Sequence, residues 1–518
     1  MVAARDDARQ ASEIELKLEF APADMARIAA HPALQANLAP PEERELLSIY
    51  FDTPDSALHK AGVYLRIRES GGRYVQTIKA AKRDDLIERQ EWERDVSGRT
   101  PMLGAAKGTA LEPLLTDKVR EKLQPVFETR IRRMLFPLEH DGTEIEVAID
   151  RGEISTRTQA CPVCEVELEL KRGEPKALFR LARILAEDVP LRLEVKTKAE
   201  RGYELLRDGR LKPERATEIR ITSEFTAGDA FRAVARSCLR QVIANEPVMC
   251  GGNAEALHQM RIGLRRLRAA VAVFADAVAD GELEKIKGEL KWITRQLGPA
   301  RDLDVFAADV LGPLKERHPG DERIAAAHAE FDERRAAAYA TAIDAIQSAR
   351  FRGAMIDLAE WIETGAWTNA ADNAEFRDRP AAEHARRQLR RLRKRIRRKG
   401  ADLRHRSAPE RHRLRIRIKR LRYATEFFAA SFPGSEAARR RTESLNALKD
   451  LQDALGGLND LAMHRTLIAE QAGDAESGAQ DSAASRHLSA SEAQAETLLL
   501  KAEQSFARFA GTKPFWKA

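Results

Sequence analysis

Near its N-terminus the chain reads Glu13-Ile14-Glu15-Leu16-Lys17-Leu18-Glu19-Phe20, with charged and apolar side chains in alternation. Successive side chains of a β-strand point to opposite faces, so this period of two predicts a strand with one charged and one apolar face. The first 200 residues contain further segments of the same kind, at 64–68, 144–147 and 164–170. Hairpin turns are predicted at Gly71-Gly72 and Asp141-Gly142, because glycine tolerates the positive φ of tight turns. This part of the chain is therefore predicted to be an antiparallel sheet.

The pattern of hydrophobic and charged residues changes after about residue 225. Two helices are predicted within the strand-rich part, at 22–37 and 175–187, but beyond 225 the 3.6-residue periodicity of helices takes over completely. We expect a first domain over 11–212, a linker over 213–227 and a helical domain over 228–512. The segment 473–491, rich in Ala, Ser, Glu and Gln, is predicted to be a loop before a last helix.

Length and composition exclude several classes of protein. A chain of 518 residues exceeds one ordinary core, and 33% charged residues with 43% hydrophobic residues indicate globular domains. No apolar run approaches the roughly 18 to 20 residues of a membrane span, and the N-terminus has no apolar signal core. Four cysteines do not make a disulfide framework, so the expected location is cytoplasmic. Cys161-Pro-Val-Cys164 has no second pair nearby and is expected to be structural, and no P-loop motif is present.

The basic charge is concentrated in the second half of the chain. Residues 1–225 have a net charge of −3 and residues 226–518 a net charge of +10. A basic domain predicts a polyanionic partner, such as nucleic acid, polyphosphate or an acidic membrane surface.

An internal repeat organises the helical half. The segment His258-Gln-Met-Arg261-Ile-Gly-Leu-Arg265-Arg-Leu-Arg268 matches His412-Arg-Leu-Arg415-Ile-Arg-Ile-Lys419-Arg-Leu-Arg422, at an offset of 154. Rows of basic residues outside this motif recur at similar offsets: Arg232, Arg236 and Arg240 with Arg386, Arg390 and Lys394, and Lys291 with Lys449. The helical domain is therefore predicted to be two copies of one four-helix unit, about 228–375 and 381–512.

The strands of the first domain place like and unlike charges on shared faces. Residues two apart point the same way on a strand, which groups Glu13 with Glu15 and Lys17, Arg66 with Arg68, Arg130 with Arg132, Glu144 with Glu146, and Glu165 with Glu167 and Glu169. One interpretation is that these are solvated faces of amphipathic strands. The other is a closed barrel with a charged interior, in which carboxylates hold a divalent cation and basic groups bind phosphate oxygens.

The first part of the sequence resembles the CYTH domains, the triphosphate tunnel enzymes. Glu13-Ile-Glu15-Leu-Lys17 matches their ExExK signature, and the resemblance covers about 11–210. It also rests on Tyr50-Phe-Asp-Thr53, Leu65-Arg66-Ile-Arg68, Gln76-Thr-Ile-Lys79, Glu165-Val-Glu167 and Lys198-Ala-Glu-Arg-Gly-Tyr203, which follow in the order that the family shows. The resemblance implies an eight-stranded antiparallel barrel whose tunnel binds triphosphate together with Mg²⁺ or Mn²⁺.

The resemblance also implies the roles of individual residues. The implied catalytic residues are Glu13, Glu15, Lys17 and Glu167. The implied phosphate ligands are Arg66, Arg68, Lys79, Arg130, Arg132 and Lys198. The implied metal ligands are Glu13, Glu15, Glu165, Glu167 and Asp150. Three alternatives stay open: either Arg132 or Arg133 as the residue that shares the role of Arg130, Lys196 in place of Lys198, and a register shifted by two towards Glu169.

In the second half, the basic residues of each repeat share one helix face. Like charges at i and i+4 cost a helix a few tenths of a kcal/mol per pair, so two copies of such rows indicate a bound anion. This half resembles the CHAD domain, through the doubled His-x-x-Arg motif and through Leu297-Gly298-x-x-Arg301-Asp302 and Leu455-Gly456-x-x-Asn459-Asp460. The family implies two four-helix bundles that bind inorganic polyphosphate. The implied ligands are His258, Arg261, Arg265, Arg268, His412, Arg415, Lys419, Arg422, Arg232, Arg236, Arg386, Arg390, Lys291 and Lys449.

The sequence thus predicts a metal-dependent hydrolase of inorganic tripolyphosphate, joined to a polyphosphate-binding helical domain. One alternative is a thiamine triphosphatase or an adenylate cyclase of the same tunnel fold. The other is a non-catalytic polyphosphate-binding scaffold. Nucleic acid is not the expected partner, because few aromatic side chains accompany the basic rows, and no membrane partner is expected.

Overall fold

The computed structural model describes residues 9–35, 40–80, 86–140, 142–209, 212–317, 319–472 and 481–517. The strands are β1 Arg9–Glu19, β2 Glu42–Asp52, β3 Val63–Ser70, β4 Arg73–Ala80, β5 Glu88–Val96, β6 Gln124–His140, β7 Thr143–Ser155, β8 Ala160–Arg172 and β9 Arg192–Leu193. The helices of the strand-rich part are α1 Met25–Ala29, α2 Ala57–Lys60, α3 Asp117–Lys122, α4 Lys176–Asp188 and α5 Lys198–Asp208. Those of the helical part are α6 Ala227–Ile243, α7 Glu246–Cys250, α8 Ala254–Val273, α9 Leu283–Gln296, α10 Gly298–Phe306, α11 Gly312–Arg317, α12 Glu322–Gln347, α13 Ala349–Thr364, α14 Ala374–Arg377, α15 Ala381–Gly400, α16 Ala408–Phe427, α17 Ser435–Ala472 and α18 Asp481–Gly511.

The strands form one antiparallel sheet in the order β5-β4-β3-β2-β6-β7-β8-β1-β9. The N-terminal half of β1 also pairs with β5, while its C-terminal half pairs with β8. The predicted eight-stranded barrel is therefore corrected to a nine-stranded sheet that curls around a cavity lined by all eight long strands. The additional strand, β9, contributes only two residues to the edge of β1, which is too short to produce a periodic pattern in the sequence.

The two faces of the sheet have opposite chemistry, because the alternation in β1 continues in β8. Leu16, Leu18, Val166 and Leu168 point away from the cavity and are buried. They lie in the same core as α4, which packs against both strands. The charged faces of β1 and β8 consequently point into the cavity, as the second of the two interpretations of these strands predicts.

Local predictions had mixed outcomes. Gly71 and Gly72 both have positive φ and join β3 to β4, which confirms this hairpin. Helix α4 confirms the prediction at 175–187, whereas the helix predicted at 22–37 shrinks to a short 3-10 turn at Pro22–Asp24 and α1. The loop predicted at 473–491 is wrong from Asp481 onwards, where α18 begins, and residues 473–480 lie outside the described residues. Asp141 of the second predicted hairpin also lies outside them.

The internal repeat has a structural basis in the helical part. The repeated motifs lie on α8 and α16, which pack against each other. In the first copy the guanidinium of Arg261 lies 3.5 Å from the position that a Cβ would occupy at Gly298. In the second copy Arg415 approaches the corresponding position at Gly456 to 3.0 Å. The arginine of the His-x-x-Arg motif thus lies against the glycine of the Leu-Gly motif in both copies, and only at Gly456 would a Cβ be in tight contact with it.

The strand-rich and helical parts share one hydrophobic core. Helix α4 packs against α13, and Arg183 on α4 pairs with Asp357 at 2.9 Å and with Glu360. The predicted linker contains no helix or strand before α6, yet Ile219 and Ile221 within it are buried in this core. The junction between the two parts is thus anchored in the core by Ile219 and Ile221, while residues such as Arg215 and Arg220 between and beside them are exposed.

Candidate functional site

The curled sheet encloses a cavity of about 280 Å³, here called the sheet cavity. Its charged lining residues are Glu13, Glu15, Lys17, Arg44, Arg66, Arg68, Lys79, Glu91, Glu93, Arg133, Glu146, Glu167, Glu169, Lys171, Lys198, Glu200 and Arg240. Eight of these were predicted from the sequence: Glu13, Glu15, Lys17, Arg66, Arg68, Lys79, Glu167 and Lys198. Carboxylates and cations alternate around the wall, so the cavity offers ligands for both a phosphate chain and a hard cation.

Lys17 occupies the centre of the carboxylate wall. Its Nζ lies 2.9 Å from Glu15 on the same strand and contacts Glu167 on the neighbouring strand β8. All three side chains are largely buried, because β1 and β8 pair with Lys17 directly opposite Glu167. The lysine of the ExExK motif therefore lies between the carboxylates of Glu15 and Glu167 in the cavity wall.

A second group of charges lies on β3, β4 and β5. Lys79 Nζ is 2.6 Å from Glu91 and 3.2 Å from Glu13, and Arg66 Nη2 is 3.3 Å from Glu91. Burial disfavours the charged form of Lys79, but the carboxylates of Glu91, Glu13 and Glu15 together outweigh it and raise the pKa of Lys79. Arg68 lacks such compensation, because burial and the adjacent Arg66 lower its pKa to about 10. An anion that enters would supply the negative charge that Arg68 lacks.

Glu91 is a cavity residue that the sequence analysis missed. It lies on β5, where Glu91, Glu93 and Asp95 alternate with other side chains at a period of two. Burial opposes the ionised form, yet Lys79 and Arg66 hold the pKa of Glu91 below its usual value. The alternating acidic residues of β5 were the signal in the sequence that could have identified Glu91.

Three carboxylates meet at one end of the cavity. Oxygen atoms of Asp150, Glu165 and Glu167 all lie within 4.8 Å of one another. Lys198 Nζ lies 2.7 Å from Asp150 and 3.1 Å from Glu167, and it also contacts Glu165. Asp150 and Glu165 are fully buried and do not line the open cavity, so they lie behind Lys198 in the wall.

The pKa values of two carboxylates of this cluster shift in opposite directions. Burial raises the pKa of Glu165, and the partial compensation by Lys198 does not reverse this shift. Burial acts in the same direction on Glu167, but Lys17 and Lys198 outweigh it and hold the pKa of Glu167 well below its usual range. Glu167 is therefore an ionised oxygen ligand at neutral pH.

The donor set fits a divalent cation. The oxygen ligands are those that Mg²⁺ and Mn²⁺ prefer, and Glu165 Oε2 is buried without a hydrogen-bond partner. Glu13 and Glu15 line the same cavity but lie outside the three-carboxylate group. The five predicted metal ligands thus divide into a compact group of three and a pair on β1.

The predicted placement of Arg130 and Arg132 in the cavity is wrong. Both are exposed on the outer face of β6, where Arg130 pairs with Glu128 at 2.9 Å and Arg132 with Glu43 at 2.5 Å. Arg133 points inward instead. The faces of β6 are set by its pairing with β2 and β7, and a shift of one residue exchanges them.

Lys198 is held at the cavity by the start of α5. Thr197 caps this helix and forms a capping box with Glu200, so Lys198 occupies the first helical position. Arg240 on α6 donates to Glu200 at 2.7 Å, to Glu214 at 3.1 Å and to the Val195 carbonyl at 2.8 Å. A residue of the helical part therefore fixes the helix that carries Lys198, which the sequence analysis did not predict.

The alternative Lys196 has a different environment. It is buried, and its Nζ lies 2.7 Å from Glu204 and 3.8 Å from Glu214 at the junction with the helical part. It does not line the sheet cavity. The geometry therefore favours Lys198 of the two.

The helical part has a cavity of its own, about 580 Å³ in volume, here called the helical cavity. It lies between α8 and α16 and is lined by four predicted polyphosphate ligands, His258, Arg265, Lys419 and Arg422. Arg266 and Arg441 also line it and were not among the predicted ligands. The two repeats therefore contribute basic side chains to one cavity.

Other predicted ligands of the helical half do not line this cavity: Arg232, Arg236, Arg261, Arg268, Lys291, Arg386, Arg390, His412, Arg415 and Lys449. Arg236 forms a two-pronged ion pair with Glu363, at 2.7 and 2.5 Å, and Arg232 lies 5.5 Å from the centre of the Trp367 ring. The prediction that the row containing these two residues lies in the groove is thus wrong, because a periodic row cannot distinguish internal pairing from an open face. Lys291, Lys449, Arg268, Arg386, Arg390 and His412 are exposed elsewhere.

The two motif histidines have different neighbours. Burial, reinforced by the charge of Arg301, lowers the pKa of His258. His412 Nδ1 lies 3.1 Å from Asn459 Oδ1. Arg301 and Asn459 occupy corresponding positions of the repeat. The difference between arginine and asparagine at this position therefore changes the electrostatic environment of the motif histidine.

Comparisons with known proteins agree with this arrangement. The CYTH domain model matches residues 11–203 and the CHAD domain model matches residues 233–469. An inorganic triphosphatase from Haemophilus influenzae is 30% identical over 196 residues, which are 37% of this chain and 54% of that protein. The chain thus spans about half the length of the curated relative it matches.

Two solved structures are also similar. One is the CHAD domain from the plant Ricinus communis, with 28% identity and a TM-score of 0.46, covering 58% of this chain and 98% of that one. The other is a putative adenylyl cyclase from Hippeastrum described as having a dominant triphosphatase activity, with 18% identity and a TM-score of 0.29, covering 39% and 98%.

The two domain matches thus place a CYTH domain at residues 11–203 and a CHAD domain at residues 233–469. More particularly, the protein joins a CYTH domain to a CHAD domain in one chain. Across the described ranges, none of the helices combines the length and apolar character needed to cross a membrane.

Proposed function

We propose that the CYTH domain hydrolyses inorganic tripolyphosphate to pyrophosphate and phosphate with the help of a divalent metal ion. The observation that carries the proposal is that cations and carboxylates line the sheet cavity together. The triphosphatase relative from Haemophilus influenzae supports the same reaction class. Phosphoryl transfer depends mainly on positioning and charge neutralisation, which such a wall can supply.

The basic residues would bind the phosphate chain. Arg66, Arg68 and Lys79 come from one side of the cavity, and Arg133 and Lys198 come from the other. Substrate oxygens would replace carboxylates as their partners, for example Glu91 at Arg66. Because a guanidinium can donate two parallel hydrogen bonds to a phosphate, the arginines would also fix its orientation.

The carboxylates would divide between metal binding and proton transfer. Glu167, Asp150 and Glu165 would hold Mg²⁺ or Mn²⁺, which supplies charge neutralisation at the phosphate oxygens when bound. Burial raises the pKa of Glu13, which makes it a better proton acceptor than an ordinary glutamate. Glu13 would take the proton of the attacking water while the bond between the terminal phosphorus and its bridging oxygen breaks.

We further propose that the CHAD domain binds longer inorganic polyphosphate in the helical cavity. His258 and Arg265 from the first repeat and Lys419 and Arg422 from the second face this cavity together. Several cations converging from two helices match a flexible polyanion better than a single phosphate.

The experiment that tests the proposal is a substrate panel. Phosphate release from tripolyphosphate, pyrophosphate, ATP, thiamine triphosphate and long polyphosphate is measured with Mg²⁺ and with Mn²⁺. The proposal expects tripolyphosphate to have the highest kcat/KM, and Glu15→Gln to abolish its hydrolysis. A clear preference for thiamine triphosphate or cyclic AMP production from ATP would support the other tunnel enzymes. No hydrolysis of any substrate by folded protein would support the scaffold.

A further inference from the structure

Three cavities follow one another from the CYTH domain to the CHAD domain. Between the sheet cavity and the helical cavity lies a third of about 370 Å³, here called the junction cavity. It shares Tyr64, Glu200 and Arg240 with the sheet cavity and Thr217 with the helical cavity. Cavities that share wall residues are neighbours in space, so the junction cavity lies next to both proposed phosphate sites.

The lining of the junction cavity suits an anion. Four of its residues are cationic, Arg207, Lys212, Arg215 and Arg240, against three carboxylates. The carboxylates already have cationic partners: Glu200 and Glu214 pair with Arg240 at 2.7 and 3.1 Å, and Glu204 pairs with Lys196 at 2.7 Å. Arg207 and Arg215 are exposed to solvent, and the glutamate that lies 3.8 Å from Arg215, Glu255, does not line the junction cavity.

Arg240 stands at the boundary with the sheet cavity. Burial opposes its charge, but Glu200 and Glu214 outweigh that effect and raise the pKa of Arg240, so it is a guanidinium at any physiological pH. Its partners are two carboxylates and one carbonyl. Because Arg240 lines both cavities, its guanidinium adds positive charge at the boundary that a phosphate chain would cross, while its bond to Glu200 keeps α5 in place.

We propose that the end of a long polyphosphate chain bound in the helical cavity reaches the sheet cavity through the junction cavity. This inference rests on the functions proposed above for the two sites. It makes long-chain polyphosphate, and not only free tripolyphosphate, a substrate of the enzyme. Each turnover would consume one water and break one phosphoanhydride bond at the chain end.

The test compares kcat/KM for long polyphosphate with kcat/KM for tripolyphosphate in the full-length protein. The double variant Arg207→Glu/Arg215→Glu reverses charge in the junction cavity without touching the residues assigned to either phosphate site. The ratio of long-chain to tripolyphosphate kcat/KM is expected to fall about tenfold, since charged clefts change association rates by this order. The neutral variant Arg207→Gln/Arg215→Gln should give an intermediate fall.

Arg220→Glu is the matched control. The side chains of Arg215 and Arg220 are 81% and 80% exposed, and each lies 3.8 Å from one glutamate, but Arg220 lines none of the three cavities. In Arg220→Glu, the ratio of long-chain to tripolyphosphate kcat/KM should stay at the wild-type value. Thermal melting of all variants establishes that they are folded.

Two results would overturn the inference. One is an equal fall of the ratio in the control, and the other is a wild-type enzyme that hydrolyses tripolyphosphate but releases nothing from long polyphosphate. The second result would leave the proposed triphosphatase function intact. A protein inactive on tripolyphosphate would instead contradict the proposed function itself.

Discussion

Arg133 and Asp150 form a two-pronged ion pair in the wall of the sheet cavity, with both nitrogen–oxygen distances at 2.7 Å. The same guanidinium lies 2.5 Å from Glu167. Since Asp150 and Glu167 also bind Lys198, this pair connects the inward face of β6 to the carboxylate group at the end of the cavity. Arg133 is thus the cation that β6 contributes to the sheet cavity.

Replacing Arg133 should weaken tripolyphosphate binding. Loss of a charge-assisted hydrogen bond of roughly 1.5–3 kcal/mol predicts that Arg133→Ala raises KM by about ten- to a hundredfold. Arg133→Lys should recover part of this loss, because it keeps the charge. Arg132→Ala is the control, since Arg132 is exposed and pairs with Glu43 outside the cavity. The measurement is KM for tripolyphosphate from steady-state kinetics. A larger rise of KM in Arg132→Ala than in Arg133→Ala would contradict the proposed placement of the substrate.

Replacing Glu167 should impair metal binding more than substrate binding. Glu167→Gln removes an ionised oxygen from the three-carboxylate group, and loss of such a ligand should weaken metal affinity by at least about 10- to 100-fold. The measurement is the Mg²⁺ concentration that gives half-maximal activity, together with Mn²⁺ binding by isothermal titration. Glu153→Gln, on the exposed outer face of β7, should leave both values unchanged. Unaltered Mn²⁺ binding in Glu167→Gln would remove this residue from the metal site.

The helical cavity should give a salt-dependent affinity for polyphosphate. The triple variant Arg265→Ala/Lys419→Ala/Arg422→Ala should bind more weakly and lower the slope of log K against log salt by about one per cation removed. A matched control replaces Lys285, Arg404 and Arg439, which are ion-paired elsewhere on the surface. Titration at several salt concentrations measures both quantities. If the control triple lowers the slope equally, binding depends on overall charge and not on this cavity.

Glu246 should make stability fall as pH rises. This residue is buried on α7, and burial raises its pKa to about 8, although Arg192 lies 3.8 Å away. Between its ordinary pKa of 4.5 and 8 the folded protein holds a proton that the unfolded chain releases, so the stability contributed by protonated Glu246 is lost through this window. The slope is at most about 1.4 kcal/mol per pH unit. Glu246→Gln stays neutral and should remove this dependence.

The measurement is the melting temperature between pH 5 and pH 9. The difference between wild type and Glu246→Gln isolates this carboxyl from other titrating groups. A difference that is constant over the whole range would show that Glu246 does not titrate in this window.

Part of the site followed from the sequence because strand periodicity is local. Glu13, Glu15 and Lys17 share one face whichever strands lie beside them, and they line the cavity as predicted. On β6 the sequence Arg130-Ile131-Arg132-Arg133 offers arginines to both faces. Only the register with the neighbouring strands selects Arg133, because a shift of one residue exchanges the two faces.

The helical half shows the same division. Its internal repeat and its basic motifs could be recognised in the sequence, and four of the predicted ligands line one cavity. The contacts of the row Arg232, Arg236 and Arg240 could not be predicted from the sequence, because the residues that pair with these arginines are distant along the chain. Glu363 lies 127 residues from Arg236, and Glu200 lies 40 residues from Arg240.

The sequence by itself determined the two domains, the alternating charged strands and the duplicated helical unit, since each depends on periodicities of nearby residues. The tertiary structure alone decided which charges meet, which arginine of β6 faces the sheet cavity, and that Arg240 of the CHAD domain holds the first turn of α5 at the wall of this cavity. The physical reason is that ion pairing and burial depend on distances between segments far apart in the chain, which no local pattern encodes.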